Sequence, residues 1–99
     1  MAITILNRFE GGSLNDVSAV AKKAAPMLVK AGAEYARLSR IHTGPHAGQW
    51  ATAIRYKDWE TYGRVTQALS ADAEYQKVMA EVAAVTKLCE RTILVGIDL

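Results

Sequence analysis

The sequence contains few of the residues that build disulfide frameworks, metal centres or membrane spans. One of its 99 residues is a cysteine and two are histidines, which excludes an intrachain disulfide and a zinc site made of several cysteines. No apolar run approaches the roughly 20 residues that a bilayer-spanning helix needs. No basic segment precedes the apolar start, as it would in a secretory signal. We therefore expect a soluble, cytoplasmic protein without a membrane partner.

Neither sign of charge dominates the chain. Twelve lysines and arginines stand against ten aspartates and glutamates, a formal net charge of +2, and they form no basic stripe with aromatic side chains between them. Nucleic-acid binding is therefore not expected. With 51% hydrophobic and 22% charged residues, the composition is that of a globular protein, and the length predicts one domain over residues 1–99.

Hydrophobic periodicity predicts a strand, a helix, two strands, a helical region and a last strand. The predicted strands cover residues 2–9, 35–43, 49–56 and 91–97, and the predicted helices cover residues 14–31, 59–69 and 73–88. Pro26 is expected to kink the first helix or to divide it. Two strand–helix–strand halves in tandem predict an α+β fold of the ferredoxin-like, split βαβ type (βαββαβ). Its antiparallel sheet of four strands has the order 4-1-3-2, with the helices on one face.

The first and fourth predicted strands are apolar on both faces. An antiparallel sheet with helices on one side normally alternates apolar and polar residues, and residues 3–6 and 93–97 do not. Leaving about six such side chains exposed would cost about 1.5–3 kcal/mol each relative to burial. The simplest cover is a second copy of the chain, related by a two-fold axis. We therefore expect an obligate homodimer.

Two motifs accompany this order of elements. The first strand ends in the sequence NRF, residues 7–9, and the second helical region contains Trp59 and then LSADAEY, residues 69–75, which indicates a helix, a break and a restart. With these motifs, residues 2–98 resemble the dimeric α+β barrel superfamily, which includes antibiotic-biosynthesis monooxygenases, stress-responsive barrel proteins and NIPSNAP-like domains. The resemblance implies a dimeric barrel of an uncharacterised bacterial subgroup, and it is not specific for one activity.

One branch of that superfamily, the haem-degrading monooxygenases, uses an asparagine at the end of the first strand together with a tryptophan and a histidine in the second helical region. Asn7 matches the first position. Val65 or Thr66 stands at the tryptophan position, Met79 stands at the histidine position, and residues 57–88 contain no histidine. Without an axial imidazole from that region, haem degradation is not expected. We predict no cofactor and no metal ion.

Eight residues are candidates for a site inside the barrel. The candidate catalytic residues are Asn7, as a hydrogen-bonding group at a strand end, and His42, as a general base at the mouth of the cavity. The candidate ligand-binding residues are four aromatic and two basic side chains: Trp50, Tyr56, Trp59, Tyr62, Arg8 and Arg40. The aromatic residues could line an apolar pocket, and the arginines could bind a carboxylate or a phenolate.

Each candidate also has a structural interpretation. His42 and His46 adjoin the turn at residues 44–48, where they could serve a hairpin, and where their spacing does not favour a shared metal ion. The aromatic residues could form core or dimer packing, as we expect for Tyr75. Arg91, like the other strand arginines, could form rim salt bridges worth under ~1 kcal/mol each. Cys89 is expected to be a partly buried apolar residue, with a reactive thiol as the alternative.

Two functions follow as hypotheses. In the first, the homodimer binds a small apolar or aromatic molecule in each barrel and could act as a cofactor-independent monooxygenase or isomerase. An interior filled by Leu6, Trp50, Tyr56 and Ile93 would exclude this function. In the second, the chain is a non-catalytic dimerisation or stress-associated barrel with a packed interior.

Overall fold

The computed structural model describes residues 1–99 as a four-stranded antiparallel sheet with three helices. In chain order the elements are β1 (Ile3–Glu10), α1 (Leu14–Ala31), β2 (Tyr35–Arg40), β3 (Trp50–Tyr56), α2 (Trp59–Ser70), α3 (Ala73–Val85) and β4 (Lys87–Val95). The sheet order β2-β3-β1-β4 is the predicted order read from the other edge. The prediction of a ferredoxin-like α+β fold is therefore confirmed. None of the helices combines the length and the hydropathy that a membrane crossing requires.

Each helix begins next to a side chain that accepts a hydrogen bond from its first turn. Ser13, Asp58 and Asp72 accept from the amide three residues further on, at 3.1, 2.8 and 3.1 Å. These bonds satisfy amides that no helical carbonyl can reach. Because Asp72 caps a new helix directly after α2 ends, the predicted break at residues 70–72 is confirmed.

The helix α1 continues through Pro26, so the first helix is not divided there. A proline in this position removes one helical hydrogen bond and costs about 3 kcal/mol. The same helix buries one stripe of apolar residues, which consists of Val17, Val20, Ala24 and Leu28. Burial of a valine or leucine side chain contributes about 1.5–3 kcal/mol each. Packing against the sheet therefore outweighs the cost of the proline.

The boundary between the last helix and the last strand lies earlier than predicted. α3 ends at Val85 instead of residue 88, and β4 begins at Lys87 instead of residue 91. Thr86 between them is extended, with φ −152° and ψ 159°. Its hydroxyl donates to the carbonyls of Glu10 and Gly11, at 3.2 and 2.8 Å. These bonds connect the end of α3 to the end of β1. The pairing of β4 with β1 therefore begins at Lys87, four residues before the predicted start of the last strand.

The register of the sheet assigns its side chains to two faces. In β1, Ile3, Ile5 and Asn7 point towards the helices and are buried, whereas Leu6 and Arg8 point away. Directly paired residues share a face, so the register extends this assignment to every strand. We call the helix side the covered face. The opposite side, the bare face, consists of Thr4, Leu6, Arg8, Tyr35, Arg37, Ser39, Ala51, Ala53, Arg55, Glu90, Thr92 and Leu94.

The core lies between the covered face and the helices, and β4 lies largely outside it. The main cluster consists of Ile3, Ile5, Leu28, Ala33, Tyr56, Val65 and Leu69. Every residue of β4 is exposed, including Ile93 at 41% and Leu94 at 45%. The expected burial of Cys89 is wrong, because this free cysteine lies at the register shift of an exposed edge strand.

Candidate functional site

A cavity of about 390 Å³ lies between the helices and the covered face of the sheet. Pockets for small molecules have volumes of about 300–1,000 Å³ and mostly apolar walls. Of the 25 lining residues, 17 are hydrophobic, so the cavity suits a ligand with an apolar body. The helices contribute Val17, Val20, Ala21, Ala24, Ala25, Leu28, Tyr62, Thr66, Leu69, Ser70, Tyr75, Gln76, Met79 and Val82.

Three polar side chains meet on the sheet side of the cavity, and we call Asn7, Thr52 and Arg91 the polar floor. Thr52 in β3 and Arg91 in β4 both pair directly with Asn7 in β1, so all three share the covered face. Asn7 donates from Nδ2 to Thr52 Oγ1 at 3.3 Å and accepts at Oδ1 from Arg91 Nε at 2.8 Å. Asn7 is only 6% exposed, and a buried amide needs such partners.

Arg91 connects the polar floor to the outside of the protein. It is exposed and also lines the cavity, which places it at the mouth. Its Nε is engaged by Asn7, whereas its two terminal nitrogens make no hydrogen bond or ion pair with the protein. A guanidinium has five N–H donors, so most of its donors face solvent or a ligand.

Two tyrosines, Tyr56 and Tyr75, line the same cavity. Burial raises the pKa of Tyr56 to about 12 and also raises the pKa of Tyr75, while the charge of Arg91 lowers both pKa values. Both phenols therefore stay protonated at neutral pH and present neutral O–H donors. The ring of Tyr62 packs edge-on against Tyr56, with the centroids 5.2 Å apart.

Three of the eight predicted site residues line the cavity, namely Asn7, Tyr56 and Tyr62. A polar side chain at a strand end can also be satisfied by backbone groups, which is the structural alternative for Asn7. Its amide bonds to two side chains instead, Thr52 and Arg91. The structure thus brings Asn7 and two of the predicted aromatic residues together around one space.

The two predicted tryptophans lie outside this cavity. Trp50 is 2% exposed, and its indole N–H donates to the carbonyl of Gly11 at 3.2 Å. Trp59 is 53% exposed at the start of α2, and its ring centroid lies 6.0 Å from that of Tyr62. Trp50 therefore packs the end of β1, whereas Trp59 lies on the surface.

The two predicted anion-binding arginines also lie outside the cavity. Arg8 is on the bare face, where its Nη1 donates to Gln49 Oε1 at 2.7 Å and its buried Nε has no partner. Arg40 is exposed and places its guanidinium over the ring of Trp50, 4.7 Å from the centroid. Of the arginines considered from the sequence, Arg91 is the one that reaches the polar floor.

His42 lies on the exposed loop between β2 and β3, because β2 ends at Arg40 and not at residue 43. His46 is exposed in the same loop, and neither histidine lines the cavity. The predicted hairpin is confirmed, since the Gly48 amide donates to the Ile41 carbonyl at 2.7 Å. No three His, Cys, Asp or Glu side chains come together where they could hold a metal ion.

Sequence reasoning did not assign Thr52, Tyr75 or Arg91 to the site. Arg91 is one of several strand arginines, and it stands at the very start of the predicted last strand. The signal that identifies it is the register, because a strand beginning at Lys87 brings Arg91 opposite Asn7. Tyr75 follows the cap of α3, and only the packing of the helices shows that it lines the cavity.

Neither a protein-family model nor a curated protein matches this chain. Solved structures do match. SnoaB, a cofactor-independent oxygenase from Streptomyces nogalater, aligns with a TM-score of 0.77 and 15% identity, over 99% of this chain and 95% of that one. A candidate antibiotic biosynthesis monooxygenase from Bordetella bronchiseptica aligns with a TM-score of 0.70 and 13% identity, over 97% of each chain.

A NIPSNAP family protein from Agrobacterium tumefaciens aligns with a TM-score of 0.63 and 15% identity, over 97% of this chain and 94% of that one. The chain therefore shares the ferredoxin-like α+β fold of these proteins. At these identities the likeness extends to the fold and assigns no activity.

Proposed function

We propose that this chain forms a homodimeric barrel protein that binds a small apolar or aromatic molecule in the cavity beneath its helices. The observation that carries the proposal is the cavity itself, about 390 Å³ in volume, mostly apolar and with a hydrogen-bonded polar floor. The competing hypothesis requires a packed interior. Against that requirement, Tyr56 lines the cavity without filling it, Ile93 on the covered face is 41% exposed, and Trp50 packs outside the lining.

We further propose that the protein catalyses a reaction in this cavity, either as a cofactor-independent monooxygenase or as an isomerase. The similarity in fold to SnoaB, a cofactor-independent oxygenase, supports it. The lining contains no His, Asp, Glu or Lys, so it offers no side chain whose ordinary pKa suits a general base near neutrality. The substrate would therefore have to ionise by its own acidity. The protonated Tyr75 would orient it by donating a hydrogen bond, and Asn7 would act through the side chains that it holds in place.

The homodimer is proposed to form through the bare face. Leu6 and Leu94 are 36% and 45% exposed there. Because each leucine is already partly buried, covering the remainder by a second copy would contribute roughly 0.5–1.5 kcal/mol per side chain. Light scattering after size exclusion at micromolar concentration is expected to give twice the chain mass of 10.8 kDa. A uniform monomer would contradict the dimer.

Ligand binding in the cavity is tested with N-phenylnaphthylamine, a neutral aromatic probe that becomes fluorescent in apolar surroundings. Ala21 lines the cavity, so Ala21→Phe places a ring inside it. The matched control is Ala19→Phe, which adds the same ring at an exposed position of the same helix. We expect the wild type and Ala19→Phe to bind the probe, and Ala21→Phe to lose most of the signal.

Equal probe signals from these two variants would contradict a ligand site in the cavity. They would instead support the non-catalytic dimerisation or stress-associated barrel, for which the interior has no ligand. Circular dichroism melts of both variants check that each one is folded.

The single domain over residues 1–99 and the cytoplasmic location remain parts of the proposal. The exposed, unpaired thiol of Cys89 supports the location, because free thiols are typical of reducing compartments.

A further inference from the structure

The charge in the cavity is of one sign. Arg37 and Arg91 are the only charged residues in its lining, and no carboxylate is there to neutralise them. Arg37 places its guanidinium over the ring of Tyr35, 4.0 Å from the centroid, on the bare face. Arg91 is therefore the cation that a ligand in the cavity can reach.

The guanidinium of Arg91 is anchored at one of its nitrogens. Its Nε donates to Asn7 Oδ1 at 2.8 Å, and Asn7 is itself anchored to Thr52 at 3.3 Å. The bond at Nε leaves both Nη groups of Arg91 unpaired by the protein. A planar guanidinium of this kind matches the oxygens of a carboxylate, and also the single oxygen of an ionised enol or phenol.

We propose that the ligand of this cavity carries an oxyanion, which Arg91 binds at the mouth while the apolar walls hold the body of the molecule. Asn7 is a positioning residue, since it acts on the ligand by orienting Arg91. The inference rests on the proposed function and adds the charge of the ligand and the residue that recognises it. The ligand class is an apolar or aromatic carboxylate, or an enolate or phenolate of similar shape.

The surroundings of Arg91 favour an anion over a neutral or cationic ligand. Tyr56 and Tyr75 line the same cavity, close enough for the charge of Arg91 to act on their hydroxyl groups. Burial keeps both hydroxyls protonated, so they can donate hydrogen bonds to a bound anion.

Two fluorescent probes with the same ring system separate the effect of charge from that of shape. Anilinonaphthalene sulfonate is an anion, and N-phenylnaphthylamine lacks the sulfonate. Arg91→Met removes the cation and keeps an unbranched chain, and we expect it to weaken binding of the anion about tenfold while the neutral probe changes less than about twofold. Arg40→Met, the same change outside the cavity, should alter neither affinity.

The positioning role of Asn7 is tested by two substitutions. Asn7→Ala releases the guanidinium of Arg91, whereas Asn7→Asp retains an acceptor but adds a carboxylate that competes with the ligand. We expect the affinity for the anionic probe to fall from wild type to Asn7→Ala and further to Asn7→Asp, with the neutral probe unchanged. A merely structural role of Asn7 would weaken both probes alike and would contradict the assignment.

The inference and the proposed function fail in different ways. If Arg91→Met leaves the anion affinity unchanged while Ala21→Phe still excludes the neutral probe, the cavity binds ligands but Arg91 does not select them. If Ala21→Phe excludes neither probe, the cavity is not a binding site and both proposals fall.

A measurement on the wild type keeps the inference testable if Arg91→Met does not fold. Arg91 is exposed at the mouth, so added salt screens its charge. The preference for the anionic over the neutral probe should therefore decrease with ionic strength. A preference independent of salt would contradict the role of Arg91.

Discussion

The two faces of the sheet carry apolar side chains from the same strands, and yet their surroundings differ. On the covered face, Ile3 and Ile5 are 0% and 4% exposed, whereas Leu6, the next residue along β1, is 36% exposed on the bare face. Hydrophobicity does not distinguish these three residues. Ile3 and Ile5 are buried because all three helices pack on their face of the sheet. The bare face has no such cover within the chain and is a surface that a second copy can cover.

The covered face is itself divided into a packed end and an open end. At the packed end, Ile3 and Val65 are fully buried beside Tyr56. At the open end, Asn7 and Arg91 meet on the sheet side of the cavity, close to the exposed edge strand β4. The apolar end therefore provides stability, and the polar end provides the place where a ligand can be recognised.

The largest difference between the faces is expected from truncating one buried and one bare side chain. Ile3→Ala should lower the free energy of unfolding by about 2–5 kcal/mol, because it leaves a cavity in the core. Leu6→Ala should cost less than about 1 kcal/mol at protein concentrations below the dimer dissociation constant, where no partner covers the bare face. Urea unfolding at such dilution measures both values. Equal costs there would contradict the assignment of Leu6 to a face that only a second copy covers.

A charge on the bare face tests what covers it. Leu94→Glu would place an unpaired carboxylate in the proposed dimer interface, and a buried unpaired charge costs about 3–5 kcal/mol. We expect the dimer dissociation constant to rise more than about a hundredfold in sedimentation experiments.

The control for this substitution is Val29→Glu, since Val29 is an apolar residue of α1 that is 47% exposed and lies away from the sheet. Val29→Glu should associate like the wild type. Undiminished association of Leu94→Glu would exclude the bare face as the interface.

Alkaline pH tests the burial of Tyr56 on the covered face. Its pKa is raised from 10.0 to about 12 by burial, so the protonated phenol is favoured in the folded state. The resulting stability is complete below pH 10 and is lost as the pH rises through about 12. We expect the unfolding free energy of the wild type to fall more steeply in this window than that of Tyr56→Phe. Parallel pH profiles would mean that the Tyr56 hydroxyl is as hydrated in the folded as in the unfolded protein.

The smallest effect is expected from Thr52→Val, which removes one hydrogen bond of the polar floor. The bond from Asn7 Nδ2 is 3.3 Å long and faces the cavity, where a water molecule can replace the threonine hydroxyl, so its loss should cost less than about 1 kcal/mol in urea unfolding. Thr92→Val in β4 makes the same change at an exposed position of the bare face as a control. A cost above about 2 kcal/mol would show that the polar floor is part of the stabilising core.

Much of the fold could be predicted because its signals are local. The apolar stripe of α1, the cap at Ser13 and the turn at residues 44–48 each depend on residues a few positions apart, and all three are present in the structure. The element boundaries were less predictable where distant contacts decide them. Thr86 ends α3 because its hydroxyl bonds to the carbonyls of Glu10 and Gly11, which lie 76 and 75 residues earlier in the sequence.

The candidate site could be predicted in part for the same reason. Asn7 stood out at the end of a strand, and Tyr56 belonged to a visible aromatic cluster. The residues around Arg91 in the sequence do not distinguish it from Arg8 or Arg40. His42 was assigned to a strand, but it lies in the loop because β2 ends at Arg40.

Local patterns along the chain are enough to determine the strands, the helices and their order, because periodicity, caps and turns depend on neighbouring residues. Which polar groups share one cavity depended on the assembled sheet. Asn7 meets Thr52 and Arg91 across 45 and 84 residues of sequence. A shift of the register by one residue, as at Cys89, moves a side chain to the opposite face. Strand pairing over these distances is a property of the folded protein and of no single segment.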